Sequence, residues 1–176
     1  MSVVVAYEAE WPERFAAERA KLERALSPWL EGGVHHVGST AVPGLAAKPV
    51  IDMIAGVADL DAARAAFTPL ATLGYAYRPH RPEAHAFAKP AGADWRGATH
   101  HLHLTEPGSH LWHERLVFRD ALRESPALRA EYEEWKRAHA APEGDSPYDT
   151  SKTAFVARVL RAAGVELEPD EQRLAR

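Results

Sequence analysis

A single aspartate inside a short apolar run is the strongest candidate in this sequence for a functional residue. The run Val50 to Val57 reads VIDMIAGV, and its bounds at Pro49 and Gly56 predict a buried strand. A carboxylate in such a strand is costly unless it is paired, hydrogen-bonded or bound to a cation. Asp52 is therefore a candidate catalytic residue and a candidate metal ligand.

A loop of small and polar residues precedes this strand. Gly38, Ser39 and Thr40 follow a short predicted strand, Val34 to Val37. Such a loop offers backbone N–H groups and hydroxyls that suit a phosphate or a nucleotide, and Lys48 adds positive charge nearby. An ordinary turn, in which the hydroxyls satisfy backbone groups, explains the same residues. The buried aspartate that follows strengthens the case for a phosphate site and leaves both interpretations open.

A second run, His100 to Leu104, alternates histidine with leucine. His101 and His103 project from one face of the predicted strand. If this strand lies beside Asp52, two imidazoles and a carboxylate converge, a set that suits Zn²⁺, Ni²⁺ or Fe²⁺ better than Mg²⁺. A proton relay, phosphate binding by protonated rings, and plain hydrogen bonding in a polar cleft are the alternatives. Trp95, in a glycine-containing loop, is the tryptophan placed to cover a ligand.

The segment YDTSKTAF, Tyr148 to Phe155, opens the last predicted helix. Tyr148 and Lys152 are four residues apart and so share one helix face. The lysine can reach a triphosphate bound in the cleft. A solvated helix start, capped by Ser146 or Asp149, is the alternative interpretation.

Composition bounds the class of protein. A chain of 176 residues suits a single domain over 1–176, with a polar tail at 164–176 that is expected to fray. The net charge of −4 is not the footprint of a duplex nucleic-acid binder, and the absence of cysteine excludes disulfides and thiolate metal sites. No run approaches the ~20 apolar residues of a membrane helix, and the first residues are not a signal peptide. These features predict a cytoplasmic protein and leave its oligomeric state open.

Apolar spacing and turn residues predict an α+β fold, a mixed sheet with helices packed against it. The predicted helices are Trp11 to Leu30, Asp59 to Leu73, Gly108 to Arg123, Pro126 to His139 and Tyr148 to Ala163. The predicted strands are Val34 to Val37, Val50 to Val57, Tyr75 to Arg78, Ala84 to Lys89 and Thr99 to Thr105. Gly32 and Gly33 are expected to break the chain before the first strand. Asp52 and Ile54 should share one face of their strand, and Ile51 and Met53 the other.

The stretch HVGSTAVPGLAAKPVIDMIAGV, His36 to Val57, resembles the signature of the GrpB family, which is itself similar to the nucleotidyltransferase superfamily that includes polymerase beta. The HHLHL, FRD and YDTSKTAF stretches resemble GrpB proteins as well, so the likeness covers about 11–163. The superfamily carries a Gly-Ser turn, a strand with two acids spaced i, i+2, and often a third acid on a neighbouring strand. Gly38 and Ser39 match the turn and Asp52 the first acid, whereas Ile54 stands where the second acid is expected.

The resemblance implies a nucleotidyltransferase-like fold with the two histidines at the site beside Asp52. It implies binding of a nucleotide or another phosphate-bearing small molecule and, for an enzyme, nucleotidyl transfer to a hydroxyl or amine. The implied cofactor is a divalent cation, Mg²⁺ or Mn²⁺, with Zn²⁺ less favoured. Nucleotidyl transfer with two metal ions requires two or three carboxylates as metal ligands. Ile54 therefore keeps open a non-catalytic binding or regulatory protein, and the histidines with Asp52 keep open a metal-dependent hydrolase.

Overall fold

The structure, a computed structural model, describes residues 4–79, 82–138 and 148–165, except for the side chains of 148–153. The described helices are α1 (Trp11–Leu26), α2 (Phe67–Thr72), α3 (His110–Glu124), α4 (Pro126–Ala138) and α5 (Tyr148–Ala162), with 3₁₀ turns at Ser39–Ala41 and Ala62–Ala66. The described strands are β1 (Leu30–Val37), β2 (Ile51–Val57), β3 (Ala76–Tyr77), β4 (His85–Lys89) and β5 (His100–Thr105). In these parts of the chain, every helix is too short or too polar to cross a bilayer.

The strands form one mixed sheet in the order β1-β2-β5-β4-β3. The central strands β2 and β5 pair in parallel, and the other neighbours pair antiparallel. The α+β class and the mixed sheet predicted from the sequence are confirmed. The parallel register places Asp52 opposite His101 and Ile54 opposite His103.

The two faces of the central strands pack against different helices. Met53 and Ala55 of β2 lie in one cluster with Leu102 of β5 and with Trp11 and Leu22 of α1. The opposite face carries a smaller cluster, formed by Val37, Ile54, Ala84 and Leu111. The alternation predicted for β2 is therefore confirmed, because the side chains of a strand point to opposite faces in turn.

Two predicted helices differ from those observed. The first ends at Leu26 rather than near Leu30, because Pro28 has no N–H to continue the helical hydrogen bonds. The second is split into a 3₁₀ turn and the short α2, since Pro69 cannot donate to the carbonyl four residues earlier. Asp59 accepts a hydrogen bond from the Ala62 N–H at 2.6 Å, whereas Asp61, in the N-cap position of the 3₁₀ turn, makes no side-chain capping bond.

The prediction that Gly32 and Gly33 break the chain before the first strand is wrong. Both glycines lie inside β1, with φ of 80° and 81°, where the pairing with β2 shifts register between Leu30 and Val34. Such a bulge bends a strand without ending it, and positive φ values cost glycine nothing sterically. The first strand therefore begins four residues earlier than expected, at Leu30.

A buried ion-pair network fastens α1 to the sheet on the side opposite Asp52. Glu18 is 3% exposed and accepts hydrogen bonds from Lys89 Nζ at 2.7 Å, the Tyr75 hydroxyl at 2.9 Å and Lys21 Nζ at 3.0 Å. Burial by itself raises the pKa of Glu18, but these three donors outweigh it and lower that pKa to about 2. Glu18 is therefore an ionised structural residue.

Candidate functional site

Asp52 and His101 are joined across the two central strands. His101 Nδ1 lies 2.8 Å from Asp52 Oδ1. The Asp52 side chain is 36% exposed and that of His101 only 10%, so the carboxylate is partly accessible to solvent. His103 lies two residues further along β5, opposite Ile54, projects from the same face as His101 and is buried. The structure thus brings together the carboxylate and the two imidazoles singled out in the sequence.

Both ring nitrogens of His101 are bonded to acceptors. Its Nε2 lies 2.8 Å from the carbonyl oxygen of Trp95, and the Trp95 ring stacks on the imidazole with centroids 3.7 Å apart and planes 5° apart. A carboxylate and a carbonyl oxygen only accept hydrogen bonds, so these two contacts match a ring that donates from both nitrogens. Trp95, which the sequence suggested as a cover for a ligand, covers His101 in this structure.

The charge of Asp52 is fixed by its surroundings. Burial raises the pKa of Asp52, but the hydrogen bond and charge of His101, followed by the charges of Arg115 and His103, lower it further than burial raises it. The net result is a pKa below the ordinary value for aspartate. Asp52 is therefore a carboxylate near neutral pH, close to Arg115 and to two imidazoles.

Gly38 allows the loop to lie directly over that carboxylate. Its φ is 73° and its ψ is −174°, a backbone conformation that is essentially restricted to glycine. A Cβ atom at this position would lie 2.5 Å from Asp52 Oδ2, well inside van der Waals contact. The Gly-Ser turn predicted from the sequence is therefore in contact with the aspartate, and a side chain at residue 38 would push the two apart.

Two residues at the site were not anticipated from the sequence. Tyr132 of α4 is 3% exposed; burial raises its pKa, and the nearby Ser39 side chain offsets part of that rise. Arg115 of α3 lies close enough to lower the pKa of Asp52, and its buried Nε atom has no hydrogen-bond partner among the described residues. Arg115 follows the buried Leu111 by one helical turn, so a charged residue in an apolar stripe was the available signal. Tyr132 left no comparable local signal.

Thr40 lies in a supporting position under the loop. It is 1% exposed, and its hydroxyl donates to the Val50 carbonyl at 2.9 Å. Because that hydroxyl hydrogen is used, His36 Nε2, 3.0 Å away, donates to the Thr40 oxygen. Burial lowers the pKa of His36 to about 4, which keeps its ring neutral. Thr40 thus ties the loop to the segment before β2.

The described contacts do not join the remaining candidate residues to Asp52. Lys48 is exposed before β2, and no hydrogen bond or ion pair joins it to Asp52. Tyr148 and Lys152 belong to the first turns of α5, but their side chains lie outside the described residues. Their roles in binding phosphate stay predictions.

The side chains around Asp52 do not fit a two-metal centre. Ile54 stands where the second acid is expected and is fully buried against Val37 and Leu111. Both nitrogens of His101 are engaged in hydrogen bonds. In the parts of the chain that the structure describes, no group of three or more His, Asp or Glu residues is arranged to hold a metal ion. A single divalent cation at Asp52, and a metal role for His101 and His103, stay predictions.

Sequence comparison places the chain among known proteins. A sequence model of the GrpB protein family matches residues 2–162. A UPF0157 protein of Streptomyces coelicolor is 36% identical over 160 residues, which are 90% of this chain and 82% of the relative. The glutamate-rich protein GrpB of Alkalihalophilus pseudofirmus is 31% identical over 163 residues, 90% of this chain and 93% of the relative.

Solved structures agree with this placement. The conserved protein GrpB from Enterococcus faecalis superposes with a TM-score of 0.75 at 28% identity, covering 92% of this chain and 96% of that one. The Cid1 poly(U) polymerase and a cytoplasmic RNA terminal U-transferase each give a TM-score of 0.54, at 16% and 19% identity, with 82% of this chain matching 45% of theirs. These two likenesses show the nucleotidyltransferase-like fold, on a chain spanning less than half of those proteins. The chain belongs to the GrpB protein family.

Proposed function

We propose that this protein binds the phosphate group of a nucleotide or of another phosphorylated small molecule at the Asp52 site. The observation that carries the proposal is the charge balance beneath the Gly-Ser loop. One carboxylate, Asp52, is accompanied by the doubly hydrogen-bonded His101 and by Arg115. A guanidinium and an imidazole that donates from both nitrogens, beside one carboxylate, suit an anionic ligand.

The groups near the Asp52 carboxylate suit phosphate oxygens. The Arg115 guanidinium is a planar fork of N–H donors, and its buried Nε atom makes no hydrogen bond to a described residue. Ser39 is partly exposed and offers its hydroxyl beside Tyr132. These donors, on the face of the sheet that carries Asp52, support a phosphate ligand over a purely structural role for the loop.

Binding is better supported than group transfer by the donors present. Transfer with two cations draws on two or three carboxylates, and Ile54 supplies none at the second position. A single Mg²⁺ or Mn²⁺ that enters with a triphosphate needs fewer protein ligands, because water and phosphate oxygens complete its shell. Asp52 would be the protein ligand of such a cation.

Titration calorimetry tests the binding proposal. ATP, CTP, GTP and UTP are titrated into the protein in EDTA and, separately, in Mg²⁺. We expect heat from at least one nucleotide, and a loss of about tenfold or more in affinity for Arg115→Gln, because a charge-assisted hydrogen bond is removed. Arg64→Gln is the matched control, since Arg64 is 60% exposed on the 3₁₀ turn at Ala62–Ala66. No heat with any of the four nucleotides, or equal affinity for Arg115→Gln and wild type, would refute the proposal.

Nucleotidyl transfer to a hydroxyl or amine is the second candidate, and the fold likeness to the Cid1 poly(U) polymerase favours it. Pyrophosphate release from each nucleotide in Mg²⁺ or Mn²⁺, with a panel of hydroxyl and amine acceptors, measures it directly. Turnover by the wild type that disappears in Asp52→Asn would establish transfer and end the binding-only interpretation. Nucleotide binding without turnover would support the binding-only protein.

A further inference from the structure

A cavity of about 220 Å³ lies behind the Gly-Ser loop at the free edge of the sheet. Its walls come from α1, from the outer strand β1, from the residues after the loop and from the C-terminal half of α3. Asp52, His101 and Ser39 are not among the residues that line it. The cavity is therefore separate from the site described above, and inferences about it do not rest on the proposed function.

Two arginines of α3 supply positive charge to this cavity, and one of them is already hydrogen-bonded to other parts of the protein. Arg119 donates from Nε and Nη2 to both carboxylate oxygens of Asp120, at 2.7 and 2.9 Å, and from Nη1 to the His36 carbonyl at 3.0 Å. These bonds use nitrogens on every side of its guanidinium. Arg119 thus holds the end of β1 in place and offers little to a ligand.

Arg123, one turn further along α3, is differently placed. Its Nε donates to the Ala41 carbonyl at 2.9 Å, and its Nη1 lies 3.8 Å from Asp120 Oδ1, which is too long for a hydrogen bond. The side chain is 40% exposed. Partial burial and the nearby charge of Arg119 lower the pKa of Arg123, so its positive charge is incompletely compensated. Arg123 therefore presents terminal N–H groups and net positive charge to the cavity.

The rest of the wall combines apolar side chains with polar ones. The Phe15 ring stacks on the His36 imidazole with centroids 4.8 Å apart and planes 14° apart. His36 is neutral near pH 7, because burial lowers its pKa to about 4. Pro12 and Pro43 add rigid apolar surface, and Arg19 lies at the rim with its Nε paired to Glu23 at 2.6 Å. A ligand that matches this wall has a planar apolar body and one anionic end.

We propose that this cavity is a second binding site, for a small planar carboxylate held by Arg123 with its apolar body against Phe15 and Pro43. The planar guanidinium fork matches the geometry of a carboxylate. The volume is below the roughly 300–1,000 Å³ of pockets for drug-sized ligands and equals about seven water molecules at liquid density. The ligand is therefore smaller than a drug-sized molecule.

Two fluorinated probes of equal shape test the proposal on the full chain by ¹⁹F NMR titration. These are 4-fluorobenzoate, which carries the anionic group, and 4-fluorobenzamide, which does not. We expect saturable binding of the benzoate and binding of the amide that is weaker by about tenfold or more. Arg123→Gln should weaken benzoate binding by a similar factor. Arg19→Gln should weaken it severalfold, and this second variant leaves the Ala41 contact of Arg123 intact.

Two further variants separate this cavity from the Asp52 site and from general surface charge. Asp52→Asn and Arg64→Gln should leave benzoate affinity unchanged. Each of three results would overturn the proposal: no saturable binding of the benzoate, equal affinity for benzoate and amide, or benzoate affinity that changes in Asp52→Asn and persists in both Arg123→Gln and Arg19→Gln. The nucleotide titrations are independent of all three results, so the two proposals stand or fall separately.

Discussion

Replacement of Gly38 by alanine tests whether the Gly-Ser loop and Asp52 form one unit. The new Cβ would lie 2.5 Å from Asp52 Oδ2 and 3.0 Å from Asp52 Cβ. Gly44 provides a matched control in the same loop. Its φ is 80°, close to the 73° of Gly38, but a Cβ there would meet no atom within 4 Å. Both variants strain the backbone, and only Gly38→Ala displaces the carboxylate.

The expected magnitudes follow from these two geometries. A non-glycine residue at positive φ costs about 1 kcal/mol or slightly more, which is the full expected effect of Gly44→Ala. Gly38 has the more restricted backbone conformation, and its replacement also disrupts the hydrogen bond between Asp52 and His101. A charge-assisted bond of this kind is worth about 1.5–3 kcal/mol, and the partial exposure of Asp52 favours the lower value. Gly38→Ala should therefore lower the free energy of unfolding by about 3 kcal/mol, roughly 2 kcal/mol more than Gly44→Ala.

Urea unfolding of the wild type and both variants measures the difference. A second measurement, the ¹⁵N-coupled imidazole spectrum, reports whether His101 still donates from Nδ1. We expect that signal to change in Gly38→Ala and to persist in Gly44→Ala. Equal destabilisation by the two substitutions, with an unchanged His101 signal in both, would refute the idea that the loop rests on the carboxylate.

Two further substitutions test the fold around the site. Glu18→Gln should cost about 3 kcal/mol at neutral pH, because the pKa of Glu18 is about 2 in the folded protein against an ordinary 4.5. The folded pKa is the lower one, so this contribution is complete above pH 4.5 and is lost as the pH falls towards 2. Urea unfolding across this range should show the stability difference between wild type and variant shrinking. A difference that is independent of pH would contradict the assignment. Ile54→Asp should lower stability by at least about 3 kcal/mol without creating a metal site, because a carboxylate would be buried beside Val37 and Leu111. Urea unfolding with and without Mg²⁺ checks this, and wild-type stability, or stabilisation by Mg²⁺, would show that the position is open to solvent.

Much of the fold was readable from local patterns. The period of two in β2 and β5 assigned Asp52, His101 and His103 to one face of each strand, and the register confirms that assignment. The positions of glycine and proline predicted most ends of helices and strands to within a few residues. The exceptions have local causes: Pro28 shortens α1, and the glycine pair at 32–33 makes a bulge instead of a break. Such features depend on neighbouring residues along the chain, so the sequence contains them directly.

The site itself depends on contacts between distant segments. Asp52 and His101 are 49 residues apart, and only the parallel pairing of β2 with β5 makes them partners. Arg115 and Tyr132 belong to α3 and α4. The spacing of apolar residues within each helix does not predict how these helices pack against the sheet.

The sequence by itself determined which residues carry chemistry and which strand faces they occupy, because side-chain direction follows from position in a strand. It also showed that Ile54 takes the place of a second acid. Only the tertiary structure decided that this isoleucine is buried against α3, that Arg115 and two histidines lie near the remaining carboxylate, and that Gly38 lies against it. The physical reason is that burial and electrostatic environment arise when helices and strands pack together, and that packing brings together groups far apart in the chain.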